Sequence, residues 1–323
     1  MKRPRLMIIS LGGAEAGMQP GQGGPASGSG LLPAAVPAIA AIADVVSLAL
    51  LHVPSASLSP AHLVDVAQRI EDALANGFDG AVVAHGADTI EESAFILDLL
   101  VGSENPVVVA AMSCAAATAG PQYAARLTAA VAVAAAPEAR GLGALVVAKD
   151  EIHAARFVQL SHTRQGAAFV SPLAGPIGVV VEGRPRFWAR VTRLPCFPAY
   201  GGPPRQVALL RWTMGDDGRW LGSLPMLGYA GAVIEGMGAG NLPTEATPPL
   251  GELAARMPVV LASRSTTGLV VTRRRPNADV DLLRLGLIPA GWLSGLKARL
   301  LLGVALRGGA GHAAAAAAFA HYQ

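Results

Sequence analysis

Charged and aromatic side chains are scarce in this chain. Of its 323 residues, 15% are charged and 5% are aromatic, whereas 52% are hydrophobic. Such a composition excludes a disordered chain, because disordered segments bury too little apolar surface to offset the entropy of ordering. The net charge of +3 is too small to indicate a nucleic-acid partner, and we predict none.

Cysteine is also rare, and its two occurrences lie far apart. Cys114 and Cys196 match no metal-ligand spacing and no disulfide framework. We therefore expect two independent free thiols, and the sequence predicts neither a metal site nor a cofactor.

Long uninterrupted apolar runs are missing as well. The first run, LMIISL, has six residues, fewer than the roughly 7–15 of a signal-peptide core. The stretch Leu31–Val53 contains Pro33, Pro37 and Asp44, which divide it into a helix and a following strand. We expect no membrane segment, and a cytoplasmic location is the default.

Short strand-like runs alternate with amphipathic helical segments through the first half of the chain. Alternation of this kind predicts βαβ units and a parallel sheet, with ligands at the carboxyl ends of the strands. The expected strands are Leu6–Ser10, Val45–Leu51, Gly80–Ala84, Pro106–Ala111 and Ala144–Val147, and the expected helices are Ala61–Asn76, Thr89–Leu100 and Gln122–Ala134.

A second alternating region follows a segment rich in proline and glycine, LPCFPAYGGPPR. We predict an N-terminal α/β domain over residues 1–193, a linker over 194–205 and a C-terminal α/β domain over 206–323. The fold class is α/β, with a larger, doubly wound sheet domain followed by a smaller one. Its expected elements are strands Gln206–Trp212, Ala232–Glu235 and Pro258–Ala262, helices Leu250–Arg256 and Ser294–Leu306, and a terminal helix within Gly308–Gln323.

Two glycine-bearing turns follow predicted strands at Ser10–Gly17 and His85–Ser93. Glycine lets the backbone approach a ligand, and free N–H groups there attract anions. Thr89 and Glu92 have the spacing of a capping box, and Asp88 precedes a helix N-terminus. These polar side chains either cap the helix only or take part in a ligand site.

The second turn also carries a family resemblance. The stretch HGADTIEESAFILDLL (His85–Leu100) is similar to the second signature of the bacterial L-asparaginase/glutaminase family, and Gly12-Gly13 resembles the first signature. Further similarity lies in Leu145–Phe157, Gly231–Pro243 and Gly286–Leu302. The resemblance implies two α/β domains and a homo-oligomer, a dimer or tetramer. Its active sites would be shared between the first domain of one subunit and the second domain of a neighbour.

The catalytic groups of that family are replaced in this chain. Ala14 and Ala87 stand at the two threonine positions, and Leu160 stands at the lysine position. No tyrosine precedes Tyr123, so the family's loop tyrosine is also missing. Since alanine has no hydroxyl, no acyl-enzyme can form at either position.

The ligand-holding positions are better preserved. The resemblance assigns the substrate α-carboxylate to Ser55 and the α-ammonium group to Asp88. It places Asn241 and Asp279, from a neighbouring subunit, at the family's asparagine and at a glutamate near the ammonium group. The predicted ligand contacts are Gly13, Ser55, Ala87, Asp88, Asn241 and Asp279.

Other side chains could supply a different chemistry. Glu15 follows the missing nucleophile, so Glu15 and Asp88 could form an acid/base pair, with Thr89 as a third candidate catalytic residue. Each has a structural alternative, since Glu15 can point to solvent. We interpret His85 as a satisfied histidine under the sheet and Cys114 as a small buried hydrophobe. His153 and His162 are expected in helix or loop positions and not as metal ligands.

Three hypotheses follow. The first is a diverged enzyme that acts on a small amino-acid-like substrate by a non-family mechanism, with Glu15 and Asp88 as its working groups. The second is a catalytically silent homologue that binds an amino acid or a partner subunit. The third is an L-asparaginase-type amidohydrolase with an unusual nucleophile, such as Ser10 or Thr89.

Overall fold

The structure is a computed structural model that describes residues 3–12, 36–112, 121–163, 168–270 and 282–323. The chain divides into two compact units, Met1–Tyr200 and Gly201–Gln323. Each unit has its own sheet and its own apolar core.

The first unit contains a mixed eight-stranded sheet with the order β10-β9-β6-β5-β4-β3-β1-β2. Its members, with the short β7–β8 hairpin, are β1 (Arg5–Ser10), β2 (Asp44–Ala49), β3 (Gly80–Gly86), β4 (Val107–Met112), β5 (Ala144–Ala148), β6 (Glu151–Ala154), β7 (Gln159–Leu160), β8 (Phe169–Val170), β9 (Gly178–Val181) and β10 (Arg184–Phe187). Strands β2, β1, β3, β4 and β5 run parallel. Strands β6, β9 and β10 extend the sheet in antiparallel pairs.

Helices cover both faces of this sheet. They are α1 (Val36–Ile42), α2 (Pro60–Ala75), α3 (Ile90–Leu100) and α4 (Pro121–Ala134). Ile39 of α1 and Leu127 of α4 share one apolar core with Leu6 and Val82 of the sheet. Helices α2 and α3 pack together against the other face, where α2 contacts β1 and α3 contacts β4 and β5. The first unit is therefore doubly wound, as predicted.

Local sequence explains where α2 begins. The Ser59 side chain accepts a hydrogen bond from the His62 N–H, and the His62 ring in turn accepts one from the Ser59 N–H. Pro60 occupies the first turn, where its missing N–H needs no partner. Leu63, Val66 and other apolar residues of α2 are buried, so the helix presents one apolar stripe to the core.

The second unit has a parallel four-stranded sheet with the order β11-β12-β13-β14. Its elements are β11 (Val207–Arg211), β12 (Gly231–Gly236), α5 (Thr247–Ala254), β13 (Val259–Ser263), β14 (Ile288–Pro289), α6 (Gly295–Ala305) and α7 (His312–Ala320). Leu250 and Leu253 of α5 share a core with Ile234 and Leu261. Helix α6 packs against β11, β12 and β13.

The antiparallel strands after β5 were not predicted, and one expectation there was wrong. His153 does not lie in a helix or loop, because it is a buried residue of strand β6. Its Nδ1 atom lies 2.9 Å from the Ser171 hydroxyl oxygen. The turn at Lys149 and Asp150, both with positive φ, reverses the chain into β6. Neither residue is glycine, so the usual composition signal for such a turn is missing.

The segment predicted as a linker is held at both ends. The Phe197 N–H donates to the Leu99 carbonyl over 2.8 Å, and Ala199 is buried in the first unit. The Arg205 N–H donates to the Gly303 carbonyl over 2.9 Å in the second unit. The limits 1–193 and 206–323 stay predictions. Within the described ranges, no helix combines the length and apolar character needed to cross a bilayer.

Candidate functional site

The strand order creates a topological switch point at the carboxyl edge of the first sheet. From β1 the chain crosses to β2 on one side, and from β2 it crosses back to β3 on the other side of β1. The loops after β1 and β3 therefore leave in opposite directions, and ligands of open α/β sheets bind at such a switch point. Both glycine-bearing turns singled out in the sequence begin at this position.

The loop after β1 is held close to the segment that leads to Ser55. The Leu11 N–H donates to the Ala84 carbonyl over 3.1 Å, and the Ser10 carbonyl accepts from the Leu50 N–H over 2.9 Å. Gly12 has φ +84°, and a Cβ added there would lie 2.8 Å from the Val53 nitrogen. Only glycine fits this close approach. Gly13, Ala14 and Glu15 lie outside the described residues.

Ser55 and Asp88 form the centre of the described site. The Ser55 hydroxyl donates to the Asp88 carboxylate over 2.5 Å. Ser55 is 3% exposed, whereas Asp88 is exposed. A buried hydroxyl therefore fixes the orientation of a carboxylate that still faces solvent. The structure brings these two predicted ligand contacts together, with Ala87 directly beside Asp88 in the chain.

Thr89 supports the same arrangement in a way that the sequence did not predict. Its hydroxyl donates to the Ser55 carbonyl oxygen over 2.9 Å. Thr89 precedes α3 at the N-cap position, yet its side chain makes no capping hydrogen bond. The expected Thr89–Glu92 capping box was wrong, because the hydroxyl is engaged by the Ser55 segment. Two hydrogen bonds thus link the turn after β3 to Ser55.

Leu160 lies beside the first turn of α3. Its N–H donates to the Glu91 carboxylate over 3.1 Å, and its pairing with Phe169 closes the β7–β8 hairpin. Glu91 is 8% exposed, while Leu160 remains 38% exposed. The backbone of Leu160 is therefore fixed near the turn that carries Asp88, and its apolar side chain is left uncovered. Among the described residues, no lysine or arginine forms an ion pair with Asp88.

His85 is a buried residue of strand β3, directly before this turn. It is 1% exposed, and burial lowers its pKa from 6.5 to about 4, although the Gly86 backbone and the Asp88 charge act in the opposite direction. Neither ring nitrogen completes a hydrogen bond with another described residue. His85 is buried as predicted, and its satisfaction by a hydrogen bond stays a prediction.

The low pKa of His85 predicts a pH-dependent stability. The unfolded chain takes up a proton near pH 6.5, whereas folded His85 stays neutral down to about pH 4. Stability contributed by neutral His85 is therefore lost as the pH falls through this window, by about 2 kcal/mol between pH 7 and pH 5.

Urea unfolding at pH 7 and at pH 5 measures this loss of stability. The same measurement on two histidine variants tests whether His85 causes it. His85→Gln should shrink the difference by about that amount, whereas His321→Gln, at an exposed position, should leave it unchanged. An unchanged difference in His85→Gln would show that His85 is not the group that takes up the proton.

Asn241 is the predicted ligand contact of the second unit. Met237 and Asn241 exchange backbone hydrogen bonds of 2.8 and 2.7 Å, which close a tight turn after β12. The Ser263 hydroxyl donates to the Gly238 carbonyl and pins the same turn. Asn241 is exposed at the carboxyl end of its sheet, where ligand-binding side chains of α/β domains lie. Asp279 lies outside the described residues.

The expectation of two free thiols is tested at Cys196 alone. Cys196 is a free thiol, and Cys114 lies outside the described residues. In the described part of the chain, no group of three or more His, Cys, Asp or Glu side chains is arranged to hold a metal.

The Glu91 contact with Leu160 was not anticipated, and a buried acidic residue in a first helical turn gives no sequence signal of its partner.

The fold and the site define a class of protein. It has two α/β units, and the first is doubly wound. Ser55 and Asp88 lie at the β1/β3 switch point, and a glycine-rich turn follows β12 in the second unit. Two family descriptions match the chain in this order. Residues 5–193 match "Asparaginase, N-terminal", and residues 206–319 match "Glutaminase/Asparaginase C-terminal domain". The chain belongs to the asparaginase family.

Known relatives agree with this assignment over nearly the whole length. A probable L-asparaginase of Deinococcus radiodurans is 35% identical, covering 95% of this chain and 94% of the relative. L-asparaginase 2 of Bacillus subtilis is 31% identical over 94% of this chain and 82% of its own. The crystal structure of a probable cytoplasmic L-asparaginase from Campylobacter jejuni has a TM-score of 0.84 and 28% identity, covering 98% of this chain and 99% of that one.

Proposed function

We propose that this protein is an amino-acid-binding member of the asparaginase family that does not hydrolyse amides by the family mechanism. One observation carries the proposal. The exposed Asp88 carboxylate, oriented by the Ser55 hydroxyl over 2.5 Å, lies at the switch point with no lysine or arginine paired to it among the described residues. An unpaired carboxylate of this kind is a receptor for a ligand ammonium group.

The chemistry of the pair suits both charged groups of an α-amino acid. Asp88 accepts hydrogen bonds from the α-ammonium group. The Ser55 hydroxyl has one proton, which can rotate from Asp88 to the α-carboxylate of the ligand. Thr89 holds the Ser55 backbone in place over 2.9 Å, so only the Ser55 hydroxyl proton has to reorient when the ligand binds.

The same site lacks the groups that would attack an amide. Ala87 occupies the position before Asp88, and Ala14 follows the first glycine pair. Neither side chain has an oxygen that could form an acyl-enzyme. The Ser55 and Thr89 hydroxyls, which remain, are each engaged as hydrogen-bond donors within the site. The proposal is therefore binding without hydrolysis by the family mechanism.

An ammonia-release assay tests the missing hydrolysis. With L-asparagine or L-glutamine, ammonia production should stay at the level of a protein-free blank, because both nucleophile positions carry alanine. L-asparaginase 2 of Bacillus subtilis serves as the positive control. Turnover that disappears in Thr89→Ala would contradict the proposal and favour an amidohydrolase with an unusual nucleophile.

A diverged enzyme is the second candidate function, and the pairing of β1 with β3 favours it. Because these strands are neighbours, the loop after β1, described as far as Gly12, leaves the same edge of the sheet as the turn that carries Asp88. Glu15 and Asp88 could then act as a carboxylate pair on a small amino-acid-like substrate. Amino-acid analysis after incubation with single amino acids tests this, since any consumption should be lost in Glu15→Ala.

We further propose that the protein acts in the cytoplasm as a homodimer or homotetramer. In that assembly Asn241 and Asp279 of one subunit would complete the ligand site of another. Sedimentation velocity at micromolar concentration should show a species of two or four chains of 32.8 kDa each. A single species of one chain would overturn the shared-site arrangement, while ligand binding by Ser55 and Asp88 could persist.

A further inference from the structure

We infer that the open face of the β9–β10 hairpin packs against the same face of a second copy of this chain. This hairpin face lies in the first unit and consists of Val179, Val181, Arg184, Arg186 and Trp188. The inference rests on the homo-oligomer proposed above and names one of its contacts. It does not depend on the binding of an amino acid.

The two faces of the β9–β10 hairpin have different surroundings. Val180 and Phe187 pack in the apolar core that also contains residues of α4. Successive side chains of a strand point to opposite faces, so Val181, Arg184 and Arg186 point away from that core. All three are exposed, Val181 by 49%. One face of the hairpin is therefore part of the core, and the other is open to a partner.

The hairpin face continues into a row of residues with charges of opposite sign at its two ends. Arg186 is opposite Val179 in the pair of β10 and β9, and Val179 is opposite Glu151 in the pair of β9 and β6. Directly opposite residues share a face, and neighbouring strands lie about 4.8 Å apart. Arg186 forms no ion pair with another described residue, and the Glu151 side chain is 47% exposed.

Glu151 keeps its negative charge although a histidine lies beside it. The His153 Nε2 atom is 3.3 Å from the Glu151 carboxylate. Burial lowers the pKa of His153, while the Glu151 charge acts in the opposite direction. The ring is therefore neutral at pH 7, and the Glu151 charge is available to a cation from outside this chain.

The row of Arg186, Val179 and Glu151 is complementary to itself. A two-fold axis that runs along β9, between two stacked hairpin faces, reverses the row in the second copy. Arg186 of each copy then lies over Glu151 of the other copy, and the two Val179 side chains meet between them. A two-fold contact repeats each pairing in both directions, so one row provides two ion pairs. Complementary charges of this kind fix the orientation of the two partners.

Trp188 and Pro185 favour a contact through the face of the hairpin and not through its edge. Trp188 is 59% exposed, and its Nε1–H donates to the Pro176 carbonyl over 2.9 Å, which holds the ring in one orientation. Tryptophan and arginine are enriched among the residues that contribute most to interfaces. Pro185 lies in the edge strand β10 and has no N–H to offer to a further strand.

Sedimentation velocity on the full-length protein and its variants tests the inference. Arg186→Glu and Glu151→Arg each place like charges opposite one another. Each should raise the dissociation constant of the assembly at least about 10-fold and favour a species of half the wild-type mass. The double variant with both substitutions restores opposite charges and should restore the wild-type assembly. Arg219→Glu, at an exposed position of the second unit, should leave the assembly unchanged.

The outcomes separate this contact from the proposals on which it rests. A wild type that sediments as one chain overturns both this inference and the proposed oligomer. If the wild type assembles and Arg186→Glu, folded by circular dichroism, keeps the same mass, the inference falls while the oligomer stands. If both single variants dissociate and the double variant does not reassemble, Arg186 and Glu151 do not face each other and the inference also falls. Calorimetry of the wild type with amino acids decides the proposed binding separately.

Discussion

Replacement of Asp88 by asparagine is expected to weaken binding of an α-amino acid by about 10- to 100-fold. A hydrogen bond to a charged group contributes about 1.5–3 kcal/mol, and each 1.4 kcal/mol corresponds to a factor of ten in affinity. Asparagine keeps the shape of the side chain and can still accept from the Ser55 hydroxyl. The variant therefore removes the charge and leaves most of the local packing in place.

Calorimetry with the tightest-binding amino acid measures this effect, and Asp65→Asn provides the matched control. Asp65 is about half exposed on α2 and pairs with Arg69 over 3.4 Å, so its replacement should leave the affinity unchanged. Equal affinities of wild type and Asp88→Asn would show that the ammonium group binds elsewhere. The assignment of the ligand site would then have to be abandoned, even with the fold intact.

The architecture of the chain could be predicted because its main signals are local. The strands from Leu6 to Ser10 and from Gly80 to Ala84, together with the apolar stripe of α2, are confirmed within a residue or two. Buried parallel strands give continuous apolar runs, and helices give a 3.6-residue period. The antiparallel strands β6 to β10 were missed because they are short, with two to four residues each.

The candidate site could be predicted only in part. Asp88 and Ser55 were predicted as ligand contacts from a family pattern, and the structure brings their side chains to 2.5 Å from each other. The hydrogen bond from Thr89 to the Ser55 carbonyl joins residues 34 positions apart, so no local spacing indicates it. Thr89 has the spacing of a capping box, but its hydroxyl donates to the Ser55 carbonyl instead of capping α3.

Helix α3, which follows the turn with Asp88, is anchored at its other end by a buried ion pair. Asp98 of α3 and Arg156 lie 3.1 Å apart, with side chains only 5% and 4% exposed. Asp98 also accepts from the Ala144 N–H over 2.9 Å, and Arg156 donates to the Thr192 carbonyl over 2.6 Å. The pair therefore joins α3, the start of β5 and the chain after β10 in one network.

Replacement of Arg156 by methionine is expected to lower the free energy of unfolding by about 3–5 kcal/mol. The substitution leaves the Asp98 carboxylate buried without its counter-charge, and that is the dominant cost when one partner of a buried pair is removed. Because methionine fills a similar volume, the loss of stability comes mainly from the unpaired Asp98 charge and not from a cavity. Urea denaturation followed by circular dichroism measures the change.

Two further variants separate the buried charge from the general effect of losing an arginine. Arg69→Met breaks an exposed pair on α2 and should cost at most about 0.5 kcal/mol, because solvent screens such pairs. Asp98→Asn combined with Arg156→Met removes both charges and should recover part of the loss, since no unpaired charge remains buried. If the double variant is less stable than Arg156→Met alone, the hydrogen bonds of Asp98 outweigh its unpaired charge. Anchoring of α3 would then depend on the Asp98 contact with Ala144 and not on the ion pair.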